Sequence, residues 1–426
     1  MRLSRNDLTT FSVATLTAFP QHSGSEKEWT DWRWQMRNRV SDLEKLERYI
    51  RPTESERGAI AKTEGIFRWT ITPYFASLMD PVDPNCPIRQ QVVPQRPEIE
   101  PDIVGVVDPL DEVGHSPVKN LVHNYRDRVA FCVTSECAIY CRYCLRKRMV
   151  GDADFMMRKD ELREAIAYIA VNENIRDVLL TGGDPLVFSD SNLDWLLGEL
   201  RAISHVEIIR LGSRLPVVNP FRITDGLIEV LRKYQPIWLN THFNHPKELT
   251  LEAKTACQRL VDSGVPLGNQ SVLLWGINDD IHTLQALCEG LVEMRVRPYY
   301  IYQAQLIGGT AHLRTSIEAG MSLMKALRGH TSGFAVPTYV LDTPDGKVPL
   351  TRDYVLGRAG DHVVMETTRG TIWAEPNPMP VGDALALELP EIELPDDART
   401  IPTSSARFIP VSEGYAAAES GLHVCG

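Results

Sequence analysis

The chain has no apolar run approaching the roughly 20 residues that a membrane-spanning helix needs. Its opening residues, Met1-Arg2-Leu3-Ser4-Arg5-Asn6-Asp7, lack the apolar stretch of a secretion signal. It also lacks any excess of positive charge. Lys and Arg number 45 against 56 Asp and Glu, a formal net charge of -11, which argues against a nucleic-acid backbone or an anionic membrane as partner. Cysteine is sparse, with 8 in 426 residues. Few cysteines in a long chain without an export signal point to thiols and metal ligands in a reducing compartment, the cytoplasm, and not to a disulfide framework. The rest, 43% hydrophobic and 24% charged, suits a globular protein with a sizeable core.

Three of the cysteines stand together in Cys137-Ala138-Ile139-Tyr140-Cys141-Arg142-Tyr143-Cys144, spaced C-x3-C-x2-C. They follow the apolar run Val129-Ala130-Phe131-Cys132-Val133, which reads as a buried strand, so they lie on the loop leaving its C-terminal end. Clustered thiolates suit zinc or an iron–sulfur cluster. A closed zinc site takes four protein ligands. Here the local count stops at three, because Leu145-Arg146-Lys147-Arg148 follows. A zinc knuckle is the plain alternative. Three cysteines on a [4Fe–4S] cube leave one iron without a protein ligand. In this spacing the chain resembles the radical S-adenosylmethionine superfamily. The resemblance implies a [4Fe–4S] cluster on Cys137, Cys141 and Cys144, S-adenosylmethionine on the open iron, and a 5′-deoxyadenosyl radical formed by one-electron cleavage.

Residues 1–24 carry little pattern. A helix is expected from Ser25, where Ser25-Glu26-Lys27-Glu28 has a capping-type start and Trp29, Trp32, Met36 and Val40 recur at helical spacing. The tryptophans from Trp29 to Trp34 are expected to pack on another element. Further helices are expected over Glu54–Thr63 and Ile66–Met79, followed by a proline-rich extended connection from Pro81 to Pro109. Residues 1–110 thus form a helical lead-in and wrap.

From Asn124 onward strands alternate with amphipathic helices. The expected strands are Val129–Val133, Asp177–Leu180, Val206–Leu211, Ile237–Thr241, Val265–Leu274 and Val296–Tyr302, with helices between them. Six such units make an α/β fold, a partial (β/α)6 barrel over residues 111–330 with polar turns gathered at its C-terminal rim. The second strand ends in Thr181-Gly182-Gly183-Asp184, the third in Gly212-Ser213-Arg214, the fourth in Thr241-His242-Phe243-Asn244-His245, and the fifth carries Gly268-Asn269-Gln270-Ser271. Two glycines let backbone approach a ligand closely. Singly, each of these strings is as readily a plain solvated turn.

Together with Trp29–Arg39, His123–Val129 and Arg328-Gly329-His330-Thr331-Ser332, these strings resemble the lysine 2,3-aminomutase family of radical S-adenosylmethionine enzymes over residues 25–375. The resemblance implies that Gly182, Gly183 and Asp184, with His242, Asn269 and Gln270, border S-adenosylmethionine. It implies that Lys347, in Thr343-Pro344-Asp345-Gly346-Lys347, carries pyridoxal phosphate, so that 331–375 is a pyridoxal-phosphate-binding segment. An exposed surface lysine is the bland alternative. A lysine of this kind needs a lowered pKa or a positioned base. In the family a His-Arg-Tyr-x-x-Arg stretch holds the cofactor phosphate. Here it is His123-Asn124-Tyr125-Arg126-Asp127-Arg128, which keeps Tyr125 and Arg128 but has Asn124 in place of the first arginine. Arg126, two positions along an extended segment, would face the same side and compensate.

The same resemblance puts the substrate carboxylate on Arg146. It puts the distal end of the substrate between Asp342, which the lysine-specific members share, and Gln305, where they have a second aspartate. One carboxylate and one amide suit a delocalised guanidinium. The expected reaction is therefore a 2,3-amino shift on a small free amino acid, L-arginine to β-arginine first and L-lysine to β-lysine as the alternative. A radical enzyme acting on a protein lysine and a non-catalytic cluster-binding protein are the rivals. The family also implies a reductant such as flavodoxin or ferredoxin and a homo-oligomer. Asp280 and the cysteine-free stretch Trp373–Pro395 leave no family-type zinc site. Cys86, Cys132, Cys257 and Cys288 are expected to be ordinary buried thiols. Residues 376–426, rich in proline and acid and then in alanine and glycine, read as a tail, partly disordered or draped on the surface.

Overall fold

The computed structural model describes residues 25–63, 67–99, 105–378, 387–401 and 423–424. Residues 1–24, which carry little pattern, and much of the tail, with Cys425, lie outside the described residues. At the centre is a nine-stranded sheet in sequential order, made of β1 (Leu121–Tyr125), β2 (Arg128–Thr134), β3 (Asp177–Gly182), β4 (Ile208–Gly212), β5 (Ile237–Thr241), β6 (Leu267–Leu273), β7 (Arg297–Gln303), β8 (Thr338–Thr343) and β9 (Gly346–Pro349). Strands β2 to β8 run parallel, and β1 and β9 are antiparallel edges. The six expected units are present, and β8 adds a further parallel strand after the helix Ile317–Leu327.

Each parallel pair is bridged by a helix whose apolar stripe follows the 3.6-residue period. Leu193, Leu196, Leu197 and Leu200 of Asp190–Arg201 are one example. These stripes bury the aliphatic side of the sheet, Val178, Leu180, Ile209, Leu211, Ile237 and Leu239. The other side is less covered. Leu179, Arg210 and Trp238 are in register across β3 to β5, and Arg210 is only half-buried while Trp238 is exposed. A sheet buried on both faces would carry apolar residues on both. Here the second face keeps polar groups, with Arg210 paired to Asp177 at 2.8 Å. Among the described residues no helix is long and apolar enough to cross a membrane.

Two helix expectations need correction. The helix predicted from Ser25 to Val40 is two, Glu26–Trp29 and Trp32–Arg37, because the Asp31 carboxylate accepts from the Arg33 N–H and starts a second cap. Of Ile66–Met79 only Pro73–Ser77 is helical, capped by Thr72 with proline at its first position. Ile71, just ahead of it, bridges instead to Val40, and Ile66 is outside the described residues. Glu54–Thr63 forms as predicted. Trp32 packs on the barrel, with the Arg222 guanidinium 4.6 Å from its ring centroid and its carbonyl accepting from Asn219 at 3.1 Å.

A second sheet, unannounced by the sequence pattern, joins β10 (Val355–Ala359), β11 (His362–Glu366), β12 (Ile372–Pro376) and β13 (Arg399–Thr400), with His423–Val424 paired to β13. So Arg399–Thr400, within the stretch read as tail, is a strand. Val363, Met365 and Trp373 of this sheet bury against Met321, Met324 and Leu327. A buried ion pair, Arg314 to Glu375 at 2.7 Å, ties β12 to the connection between β7 and the helix Ile317–Leu327.

Candidate active site

The cysteine loop leaves β2 at the C-terminal rim, where the sequence puts it. Cys137, Cys141 and Cys144 are free thiols, each half-buried. Cys137 and Cys144 pack with Met149, Val150 and Tyr140. Cys141 and Cys144 face one cavity together with Arg68, Arg142 and Lys147. Burial, then the charges of neighbouring groups, push the Cys137 thiol up, and burial with Cys141 nearby pushes Cys144 up to about 11. Gathered soft donors unbridged by disulfides, beside cationic side chains, fit an iron–sulfur cluster, whose positive metal would hold them as thiolates. Among the described residues no three His, Cys, Asp or Glu side chains converge as ligands of one ion. A cube presents a separate iron to each sulfur, so it does not ask for that convergence.

The lead-in holds this loop from beneath. Arg39 donates to the Cys137 carbonyl at 2.7 Å and pairs with Glu136 at 3.1 Å. The Tyr140 N–H donates to the Thr70 carbonyl and the Arg142 N–H to the Gln91 carbonyl. Glu98, fully buried, accepts from Arg142 at 2.6 Å and Lys147 at 2.9 Å. Burial alone would raise the Glu98 carboxyl, but the two cations outweigh it and hold it down at about 2. The residues that fasten the loop thus come from 39–98, a segment that the sequence marks only as helical lead-in and wrap.

The Gly182-Gly183-Asp184 turn lies directly against the loop. Gly182 has φ 109°, and a Cβ on Gly183 would stand 2.3 Å from the Glu136 carbonyl oxygen. The close approach that these glycines permit is therefore to the backbone of Thr134–Glu136, with the Gly183 and Asp184 N–H groups donating to Thr134 and Glu136 at 2.6 and 2.8 Å. Asp184 accepts from the Leu186 and Arg214 N–H groups, and burial raises it to about 6.

Arg214 is a hub that the expected site residues omit. Its guanidinium donates to Cys141 Sγ and the Tyr143 hydroxyl, both at 2.8 Å, and to Gln91 and Glu248 at 2.6 and 3.0 Å. The Tyr143 hydroxyl also meets His242 Nε2 at 2.8 Å, while His242 Nδ1 pairs with the Gln270 carbonyl. Burial and Arg214 push His242 down to about 3, so its ring is neutral. Asn269 faces inward. Its side chain bonds the Phe243 N–H and carbonyl at 2.7 and 3.1 Å and Ser271 at 2.8 Å, tying β5 to β6. Asn269 is a strut here, placed on the chain and not on an open surface.

Lys347 sits in β9 opposite Asp342 of β8. Its ammonium meets Asp342 Oδ1 at 2.5 Å and lies 5.1 Å from the Tyr302 ring centroid. Burial alone would lower its pKa, but Asp342 and Tyr302 outweigh it and hold the pKa above the ordinary value. Of the two settings expected for this lysine, the lowered pKa is not found; Asp342 pairs with the ammonium and keeps it protonated. The Tyr125 hydroxyl accepts from the Lys347 N–H at 2.8 Å. Gly346, at φ 110°, allows that approach, since a Cβ there would meet the same hydroxyl at 2.8 Å. Arg128 stacks 3.8 Å from the Tyr125 ring centroid and pairs with Asp127. An amine on an open rim, with a phenol and guanidinium groups beside it, is a donor set that fits pyridoxal phosphate.

The expected substrate groups are already engaged within the protein. Gln305 is buried and donates to the Asp342 carbonyl at 2.8 Å. Arg146 forms a fork with Glu112, at 2.7 Å and 3.0 Å, and its Nη1 reaches Thr181 at 3.4 Å. Glu112 also accepts from Arg148 at 3.0 Å. A substrate carboxylate on Arg146 would share it with this internal one. Asp280 caps the helix Ile281–Glu293. Cys86, Cys132, Cys257 and Cys288 are buried.

Two family models match the chain, the Radical SAM superfamily over residues 131–287 and Lysine-2,3-aminomutase over 324–398. The L-lysine 2,3-aminomutase of Clostridium subterminale is 48% identical over 356 residues, 83% of this chain and 86% of that one. That of Fusobacterium nucleatum is 49% identical over 350 residues, 82% of each. The glutamate 2,3-aminomutase of Clostridioides difficile is 44% identical over 352 residues, 82% of this chain and 83% of that one.

Proposed function

The chain belongs to the lysine 2,3-aminomutase family, and from that premise we propose that it moves the α-amino group of a cationic L-amino acid, L-lysine, to C3. It is a radical S-adenosylmethionine isomerase, and its cofactors are a [4Fe–4S] cluster, S-adenosylmethionine and pyridoxal 5′-phosphate. Cys137, Cys141 and Cys144 would hold the cluster, Gly182, Gly183, Asp184, His242 and Gln270 would border the S-adenosylmethionine with Asn269 bracing the strands behind them, and Lys347, Tyr125 and Arg128 would hold the pyridoxal phosphate. When bound, these groups supply a hydrogen-abstracting carbon radical and the π system through which nitrogen can migrate between adjacent carbons.

The chain's own residues do the rest. Asp342 holds a proton on Lys347 and so keeps the amine as an ammonium until that proton is lost. Arg146 binds a carboxylate and sets its orientation. The neutral His242 ring and the Tyr143 hydroxyl brace each other at the rim without adding charge. The observation that supports this reading is that the loop bearing the three thiols leaves the C-terminal end of β2 and the Lys347–Asp342 pair lies at the C-terminal end of β8, the same end of one parallel sheet.

For the substrate, the arginine expected from Gln305 and Asp342 gives way to lysine, because the relatives at 48 and 49% identity are L-lysine enzymes. Arginine stays as a second reading on one observation. The buried Gln305 amide beside Asp342 leaves a single carboxylate for the distal cation. An external one-electron donor of flavodoxin or ferredoxin type, a cytoplasmic setting and a homo-oligomer complete the proposal. The test is anaerobic incubation of the reconstituted enzyme with L-lysine, L-arginine and L-glutamate and chromatography of the products. β-Lysine is expected. β-Arginine alone would install the second reading, and modification of a lysine-bearing peptide with no free amino acid converted would defeat both.

A further inference from the structure

Position 124, at the end of β1, is where the family pattern has a phosphate-binding arginine and this chain has Asn124. Arg126 does not fill the gap. Strand β1 stops at Tyr125, and Arg126 is exposed in the turn that follows. A different cation does reach the place. Arg369, in the turn between β11 and β12, donates through Nη2 to the Asn124 carbonyl and to Asn124 Oδ1, the latter at 2.6 Å. Its Nη1 stands 3.9 Å from Asp345, in the same hairpin as Lys347. Asn124 in turn donates to the Pro344 carbonyl at 2.8 Å, and its neighbour Tyr125 accepts from the Lys347 N–H. The guanidinium thus rests on Asn124 itself, the residue next to Tyr125, and reaches the turn that presents Lys347. Among the described residues no hydrogen bond engages its Nε or Nη1, so donors remain for an anion. Arg399, 2.7 Å from Asp345, balances the carboxylate that would otherwise oppose a phosphate there.

We propose that Arg369 supplies the phosphate-binding cation absent from position 124 and, with Arg128, holds the 5′-phosphate of pyridoxal phosphate carried on Lys347. The proposal rests on the cofactor assignment made above, and the experiment separates the two. Cofactor-free protein is titrated by absorbance with pyridoxal phosphate and with pyridoxal, which has the same aldehyde and no phosphate. Arg369→Gln is expected to weaken pyridoxal phosphate about tenfold or more while leaving pyridoxal unchanged. Asn124→Arg in the Arg369→Gln background is expected to restore the affinity, and Arg126→Gln to change neither ligand. Unchanged pyridoxal phosphate affinity in Arg369→Gln overturns the proposal. An equal loss of both ligands also overturns it, by making Arg369 a brace of the hairpin. If Lys347→Ala binds both ligands as the wild type does, the cofactor assignment itself falls, and this proposal with it.

Discussion

The two ends of the rim are built differently. Around the cysteine loop three ion pairs are deeply buried. Arg142 with Glu98, Arg214 with Glu248 and Arg148 with Glu112 all have side chains under 10% exposed. Buried charges are tolerated only in close pairs with further hydrogen bonds, and such pairs lock geometry. Around Lys347 the partners are more open. Lys347 is 35% exposed, Arg369 41% and Arg399 27%. They come from β1, β8, β9 and the second sheet, so the cradle is assembled from four separate stretches. A cluster that must keep one fixed open iron calls for the first construction. A cofactor that must enter and attach to a lysine calls for the second.

The largest effects should come from single residues at each end. Cys141→Ala and Lys347→Ala should each abolish turnover. They should do so separately: Cys141→Ala loses iron and sulfide while still binding pyridoxal phosphate by absorbance, and Lys347→Ala does the reverse. Loss of pyridoxal phosphate binding in Cys141→Ala would erase the contrast between a locked end and an assembled one.

Next is the buried carboxylate under the loop. Glu98→Gln leaves the Arg142 guanidinium buried without its anion and should destabilise by about 3–5 kcal/mol in chemical denaturation. The pH dependence has a definite sign. The Glu98 carboxyl is held in the fold at about 2 against an ordinary 4.5. Its contribution is therefore fully present above about 4.5 and is lost as pH falls through about 2. Glu98→Gln should flatten that part of the stability profile. A variant as acid-sensitive as the wild type would show that the lock lies elsewhere.

The assembled end should respond through pH and not through stability. Asp342 keeps Lys347 protonated, and attachment of an aldehyde needs the neutral amine. Attachment should therefore quicken as pH rises in the wild type. Asp342→Asn should move that profile to lower pH by about one unit or more, read by stopped-flow absorbance. An unmoved profile would show that another group sets the lysine's proton.

What the sequence makes legible follows the same division. The cysteine triplet and the Gly-Gly-Asp turn are local strings, and the alternation of strand and helix is a periodic one, so both survive reading in one dimension. The fastenings do not. Glu98 stands 44 residues from Arg142, and Arg369 stands 245 from Asn124. Pairs at such separations leave no period and no motif. Strands β10 to β13 were silent for a related reason. Each is short, and its partner is chosen by packing on the helix Ile317–Leu327 and not by its own alternation. Asn124 was visible as a departure, but the side chain that answers it was not.

The smallest effect is expected at the opposite end of the barrel, and it tests whether burial, and not charge alone, makes the cysteine end rigid. Arg176 and Glu207 pair at the starts of β3 and β4, with side chains 47 and 58% exposed. Water screens such a pair and salt weakens it further, while holding two long side chains together costs entropy. Glu207→Gln should therefore leave the unfolding midpoint indistinguishable from wild type, in low salt and in high. A loss comparable to that of Glu98→Gln would mean that the strand starts are fastened as tightly as the rim. Burial would then no longer explain why the cluster end is the rigid one.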